Sequence, residues 1–123
     1  MNVDLWWYQA RALKVSDGDT VWFEIDQGMR SRIEAQIRIA GVNASELFTG
    51  ADRERAAQAR DFLVSWLTER TRDQRWPFLI HTYKLLQADG EKMSFTRYVG
   101  DVYDANSGDS LADAIRTAGF DVS

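Results

Sequence analysis

Arg38, Asn43 and Glu46 stand close together in the chain, and their types suit one kind of chemistry. A guanidinium grips phosphate oxygens through forked hydrogen bonds. Amide and carboxylate oxygens suit hard divalent cations. A carboxylate can also take a proton from water. Asp19 and Arg97, far away in the primary order, add another oxygen ligand and a second guanidinium. Together these groups suit attack of water on a phosphodiester. A bound metal neutralises and polarises the phosphate, the glutamate deprotonates the water, and the arginines stabilise the extra negative charge of the transition state. The same residue types also occur on a solvated strand face with an ordinary polar loop after it, so the positioning elements matter.

Arg38 lies on a strand. Ile33, Ala35, Ile37 and Ile39 fall on one face, and Arg32, Glu34, Gln36 and Arg38 on the other. The strand ends at Gly41, and Asn43 and Glu46 follow in a loop of small and polar residues. Upstream, Leu5 to Val15 predicts a first strand, with Trp6, Trp7 and Tyr8 read as core in preference to stacking platforms for bases. Asp17-Gly18-Asp19-Thr20 is a tight turn. Val21, Phe23 and Ile25 alternate with Trp22, Glu24 and Asp26 to give a second strand, broken at Gln27-Gly28. The three strands read as an antiparallel meander. That layout brings the start of the second strand beside the end of the third, so Asp19 approaches Asn43.

From Ala51 to Arg70 the period becomes helical, with Ala59, Phe62, Leu63, Trp66 and Leu67 on the packed face. Pro77 opens a fourth strand, Phe78 to Leu86, in which His81 reads as a structural residue. Asp89-Gly90 marks a hairpin turn, and Arg97 to Tyr103 a fifth strand. After the Asn106-Ser107-Gly108 loop, Ser110 caps a short helix, Leu111 to Ala118. Asp113 completes a capping box and Gly119 stops the helix. Three strands, a helix, two strands and a helix are the layout of a five-stranded OB-type barrel, mainly β, in one domain spanning 1–123. If that barrel closes, Arg97 reaches the same rim as Asp19 and Arg38.

Composition narrows the chemistry. There is no cysteine and a single histidine, which leaves no thiolate site and no multi-histidine zinc site. Any metal must be held mainly by oxygen, which points to calcium, magnesium or manganese. The net charge of −4 runs against the usual basic balance of nucleic-acid binders. Yet twelve of the fifteen basic residues are arginine, the side chain best shaped for phosphate, and a cleft can be positive on an acidic surface. No apolar stretch approaches a membrane span. The N-terminus carries Asp4 where a signal peptide wants a basic residue, so the expected setting is cytoplasmic, with no membrane partner.

Taken in order, these pieces resemble the staphylococcal nuclease, or thermonuclease, family from about Ala12 to Phe120. Val15-Ser16-Asp17-Gly18-Asp19-Thr20-Val21 resembles its aspartate-glycine-aspartate-threonine turn. Arg38 to Glu46 resembles its arginine, hydrophobic run and acidic loop. Arg97-Tyr98-Val99-Gly100-Asp101-Val102-Tyr103 resembles its second arginine and the strand after it, and Ser110 to Phe120 the helix that follows. The resemblance implies that Asp19, Asn43 and the carbonyl of Ala44 ligate calcium. It implies that Glu46 positions or deprotonates the water, and that Arg38 and Arg97 hold the phosphate and its developing charge. It implies endonucleolytic cleavage of single-stranded DNA or RNA.

Asn43 replaces the family's usual aspartate, so weaker calcium binding is expected, or acceptance of manganese or magnesium as well. Before Arg97, Ser94-Phe95-Thr96 replaces a lysine-tyrosine-glycine, leaving Phe95 as the residue to stack on substrate without a phenolic hydroxyl. A second reading therefore stays open: an OB-type module that binds nucleic acid without turnover. A third is a protein-interaction module. DNA against RNA preference and oligomeric state are not legible in these residues.

Overall fold

Alternation along the chain becomes a barrel wall. The computed structural model describes residues 6–42, 53–82 and 97–121. Strands β1 (Trp7–Asp17), β2 (Thr20–Gly28) and β3 (Ser31–Ile39) form the antiparallel meander. Their inward positions carry Val15, Val21, Phe23, Ile25, Ala35, Ile37 and Ile39, all buried. Each places an apolar or β-branched side chain on every second residue, the pattern that fills a barrel interior. The β2–β3 hairpin turns at Met29 and Arg30, both at positive φ. That geometry matches the right-handed twist of the two strands.

Helix α1 (Arg53–Thr71) buries Ala56, Ala59, Leu63, Trp66 and Leu67, close to the stripe its period predicts, and lies against β1. Trp66 stacks on Phe78, the first residue of β4 (Phe78–Thr82), at 5.9 Å between centroids. Strand β5 (Arg97–Asp104) pairs antiparallel with β4 and parallel with β3, and β4 pairs with β1. The order β1-β2-β3-β5-β4 closes on itself, so no edge strand is left among these five. Closure requires the parallel β3–β5 pairing, which the chain reaches through the α1 crossover.

Helix α2 (Leu111–Thr117) packs Leu111, Ala112 and Ile115 into the core. The Ser110 hydroxyl accepts the Asp113 N–H at 3.2 Å, as the capping signature predicts. The Asp113 carboxylate accepts from Arg116 at 2.9 Å. The β5–α2 corner is locked by Asp104, whose carboxylate accepts from the Asn106 and Ser107 N–H groups and from Arg70 at 2.8 Å. Burial alone would push the Asp104 carboxyl up. The Asn106 N–H, Arg70 and Ser107 outweigh that and hold it below the usual aspartate value.

The expectation of a core role for Trp6 and Trp7 fails. They stand 45% and 42% exposed, while Tyr8 packs partly against the core. Trp7 lies opposite His81 on the outside of the β1–β4 ladder, and the two rings stack at 4.5 Å. The inward position at that end belongs to Ala10, fully buried, because Phe23 and Phe78 already fill the space. The expected continuation of β4 to Leu86 and the Asp89-Gly90 turn lie outside the described residues.

Candidate functional site

Asp19 sits in the turn between β1 and β2 and is 1% exposed. Its position follows from the meander. The Ile39 N–H donates to the Asp19 carbonyl at 2.8 Å, tying the turn to the last residue of β3. Thr20, the residue after it, pairs with Arg38 across the β2–β3 ladder. The Arg38 Nη2 thus comes to 3.4 Å from the Asp19 Oδ2. The Thr20 hydroxyl donates to Oδ1 at 3.1 Å. A buried carboxylate of this kind must be paired or hydrogen-bonded, and here it is both.

Arg38 also donates to the Val42 carbonyl at 3.4 Å. Both contacts are long for a guanidinium, and the side chain keeps 28% of its surface exposed. Its five N–H donors leave capacity for an anion at the rim. On the neighbouring strand, Val99 pairs with Arg38 and Arg97 pairs with Gln36, so the backbone of Arg97 lies one pleat repeat from Arg38. The Ala40 N–H donates to the Gly100 carbonyl at 2.8 Å and carries the parallel pairing past the end of β3.

The structure therefore brings Asp19, Arg38 and the start of β5 to one rim. Asn43, Ala44, Glu46 and Phe95 lie outside the described residues. Among the described residues, no three histidine, aspartate or glutamate side chains converge. Asp19 is an oxygen donor at this rim, and an oxygen-only donor set of Asp19, Asn43 and Ala44 would suit a hard divalent cation in chemical type.

The turn that leads into that loop is held from two sides. Gly41 has φ +81, a conformation that costs any other residue, and its carbonyl accepts from Arg116 Nη2 at 2.9 Å. Val42 is buried, and Arg38 reaches its carbonyl. Sequence reasoning marked Gly41 as a strand end but missed Arg116. A basic residue in the last turn of a short helix reads as a helix-dipole partner, and nothing local says that it reaches back 75 residues. It also missed the Val42 carbonyl and the Thr20 hydroxyl, which have no motif of their own. A groove of about 340 Å³ opens between this turn, β5 and α2, but its lining does not include Asp19 or Arg38.

No family model matches the chain, and no curated protein matches it. No helix among the described residues is long and apolar enough to cross a membrane.

Proposed function

We propose that this protein is a divalent-metal-dependent nuclease with an OB-type barrel, acting on single-stranded DNA or RNA. The observation that carries the reading is the Asp19–Arg38 pair: a buried carboxylate and a half-committed arginine meet at the barrel rim, one pleat repeat from Arg97. The resemblance to the thermonuclease family supports the same roles.

In this reading a calcium ion, or manganese or magnesium in its place, supplies charge neutralisation and polarisation of the phosphate. Asp19 holds the metal side of the site, with Asn43 and the Ala44 carbonyl. Arg38 exchanges its long contacts to Asp19 and Val42 for phosphate oxygens, which are better acceptors for two parallel N–H groups. Arg97 adds a second guanidinium for the charge that develops in the transition state. Glu46 takes the proton from the attacking water. A cytoplasmic setting belongs to the same reading.

The test is a cleavage assay on single-stranded DNA and RNA with calcium, manganese and magnesium, beside an EDTA control. Metal-dependent cleavage that EDTA abolishes and that Glu46→Gln lowers by about 100-fold or more is the expected result. A Glu46→Gln variant that cuts as fast as the parent ends the assigned mechanism. One observation favours the second reading, a binding module without turnover: the Arg38 guanidinium is turned inward to Asp19 and Val42. Salt-sensitive binding with no cleavage under any of the three ions selects it.

A further inference from the structure

The outward face beside this rim carries three residues that the catalytic reading does not use, in a row that leads to Arg97. Lys14 on β1 pairs with Trp22 on β2, Trp22 with Gln36 on β3, and Gln36 with Arg97 on β5. Directly paired residues share a face of the sheet. The neighbouring inward positions Val15, Val21, Phe23, Ala35 and Ile37 are buried, so Lys14, Trp22 and Gln36 face out. Lys14 is exposed, and Trp22 and Gln36 are half-buried.

Two of these residues are uncommitted among the described residues. Among the described residues Trp22 makes no ring-stacking or cation–π contact, unlike Trp7, Trp66 and Trp76. Among the same residues Lys14 is in no ion pair. The next outward row is different: there Arg11 is bound to Glu24 at 2.6 Å. The Gln36 amide donates to the Ser16 hydroxyl at 3.4 Å, reaching across β2 on the side of the row nearest Thr20 and Arg38.

We infer that the Lys14–Trp22–Gln36 row is a binding path for a single-stranded nucleic acid, holding the nucleotides next to the bond at the Asp19–Arg38 rim. A flat indole lying on the outside of a sheet offers a base a stacking surface that does not depend on sequence. A lysine one strand away offers its charge to the adjoining phosphate. Three adjacent strands at the usual spacing span roughly 10 Å, the reach of about one or two extended nucleotides. A duplex hides its base faces and gains nothing from Trp22. This inference rests on the rim being the place where the nucleic acid is handled, but it does not require that the rim cut it.

The experiment measures fluorescence anisotropy of labelled single-stranded oligothymidylate and oligouridylate in EDTA, so that cleavage cannot interfere. Trp22→Leu weakens binding by about 5- to 100-fold, and Trp22→Phe, which keeps a ring, recovers much of it. Lys14→Ala lowers the slope of log Kd against log salt by about one, and an unlabelled duplex competes poorly. Lys14 is exposed, so this arm stands even if Trp22→Leu unfolds. A parent that binds single strands while both Trp22→Leu and Lys14→Ala match it overturns the inference, as does a parent that binds none at low salt. A parent that binds through this row but cuts under no metal supports the inference and ends the nuclease reading instead.

Discussion

Two corners of this barrel bury an aspartate against an arginine, and they do it differently. At the β5–α2 corner, Arg70 meets Asp104 at 2.8 Å and Asp109 at 3.0 Å, and lies over the Trp66 ring at 4.3 Å. Asp104 takes two further backbone N–H donors. At the β2–β3 rim, Arg38 meets Asp19 at 3.4 Å and a carbonyl at 3.4 Å. Exposure does not separate them: the arginine side chains are 27% and 28% exposed. What separates them is commitment. The first guanidinium is bound at normal lengths and stacked, which is how a structural clamp is made. The second, among the described residues, has only these two longer contacts.

That contrast can be broken most directly by removing each arginine. Arg38→Ala should cut nuclease activity per folded molecule by about 100- to 1,000-fold, beyond the melting temperature it costs by removing the ion-pair partner of the buried Asp19 carboxylate, when the two are measured on one preparation. If stability collapses and activity per folded molecule does not change, Arg38 is a clamp and the contrast is false. Asp104→Ala should do the reverse, costing about 2–3 kcal/mol in urea denaturation, because it takes one of the two carboxylates from Arg70 and leaves the Asn106 and Ser107 N–H groups without their acceptor. Its activity per folded molecule should stay near the parent's.

The same corner predicts a pH dependence. The folded protein holds the Asp104 carboxyl below 3.8, the value it takes when unperturbed. Its stabilising contribution is therefore complete above that pH. It is lost as the pH falls from there through the lowered folded value, where the folded state must also take up the proton. Asp104→Asn should flatten the fall of stability with acid over that window, as read from urea midpoints at several pH values. An unchanged acid slope would remove Asp104 from the clamp.

The smallest effect concerns the turn that joins the rim to the loop. A Cβ on Gly41 would stand 2.7 Å from the Arg116 guanidinium and would occupy a positive φ. The arginine tip can move aside, but the backbone conformation cannot, so Gly41→Ala should cost about 1 kcal/mol. Adding Arg116→Ala should leave most of that cost in place. If the double variant recovers full stability, the strain was steric and Arg116 alone set it.

Much of the fold is legible along the chain, because burial in a strand repeats every second residue and in a helix every three or four. Val21, Phe23 and Ile25, or Ala59, Leu63 and Trp66, announce their element and their buried face without help from distant residues. Trp6 and Trp7 show the limit of such reading. Aromatic bulk says that a side chain will pack, not whether it packs inside the barrel or on His81 outside it. For the site, the alternation of β3 puts Arg38 on the outward face, and the Asp17-Gly18-Asp19-Thr20 turn puts Asp19 at a strand end. Neither pattern says that the two side chains meet.

By itself, then, the sequence determined the strands, the helices, the faces they bury and the residue types offered for phosphate chemistry, since all of these depend on near neighbours in the chain. Only the tertiary structure decided which strands pair: that β5 runs parallel to β3, that β4 closes onto β1, and that Arg116 returns to Gly41. Those pairings join segments far apart in the chain. Local pattern cannot rank them, because every outward or inward face fits several partners until the barrel closes and a single register fills its interior.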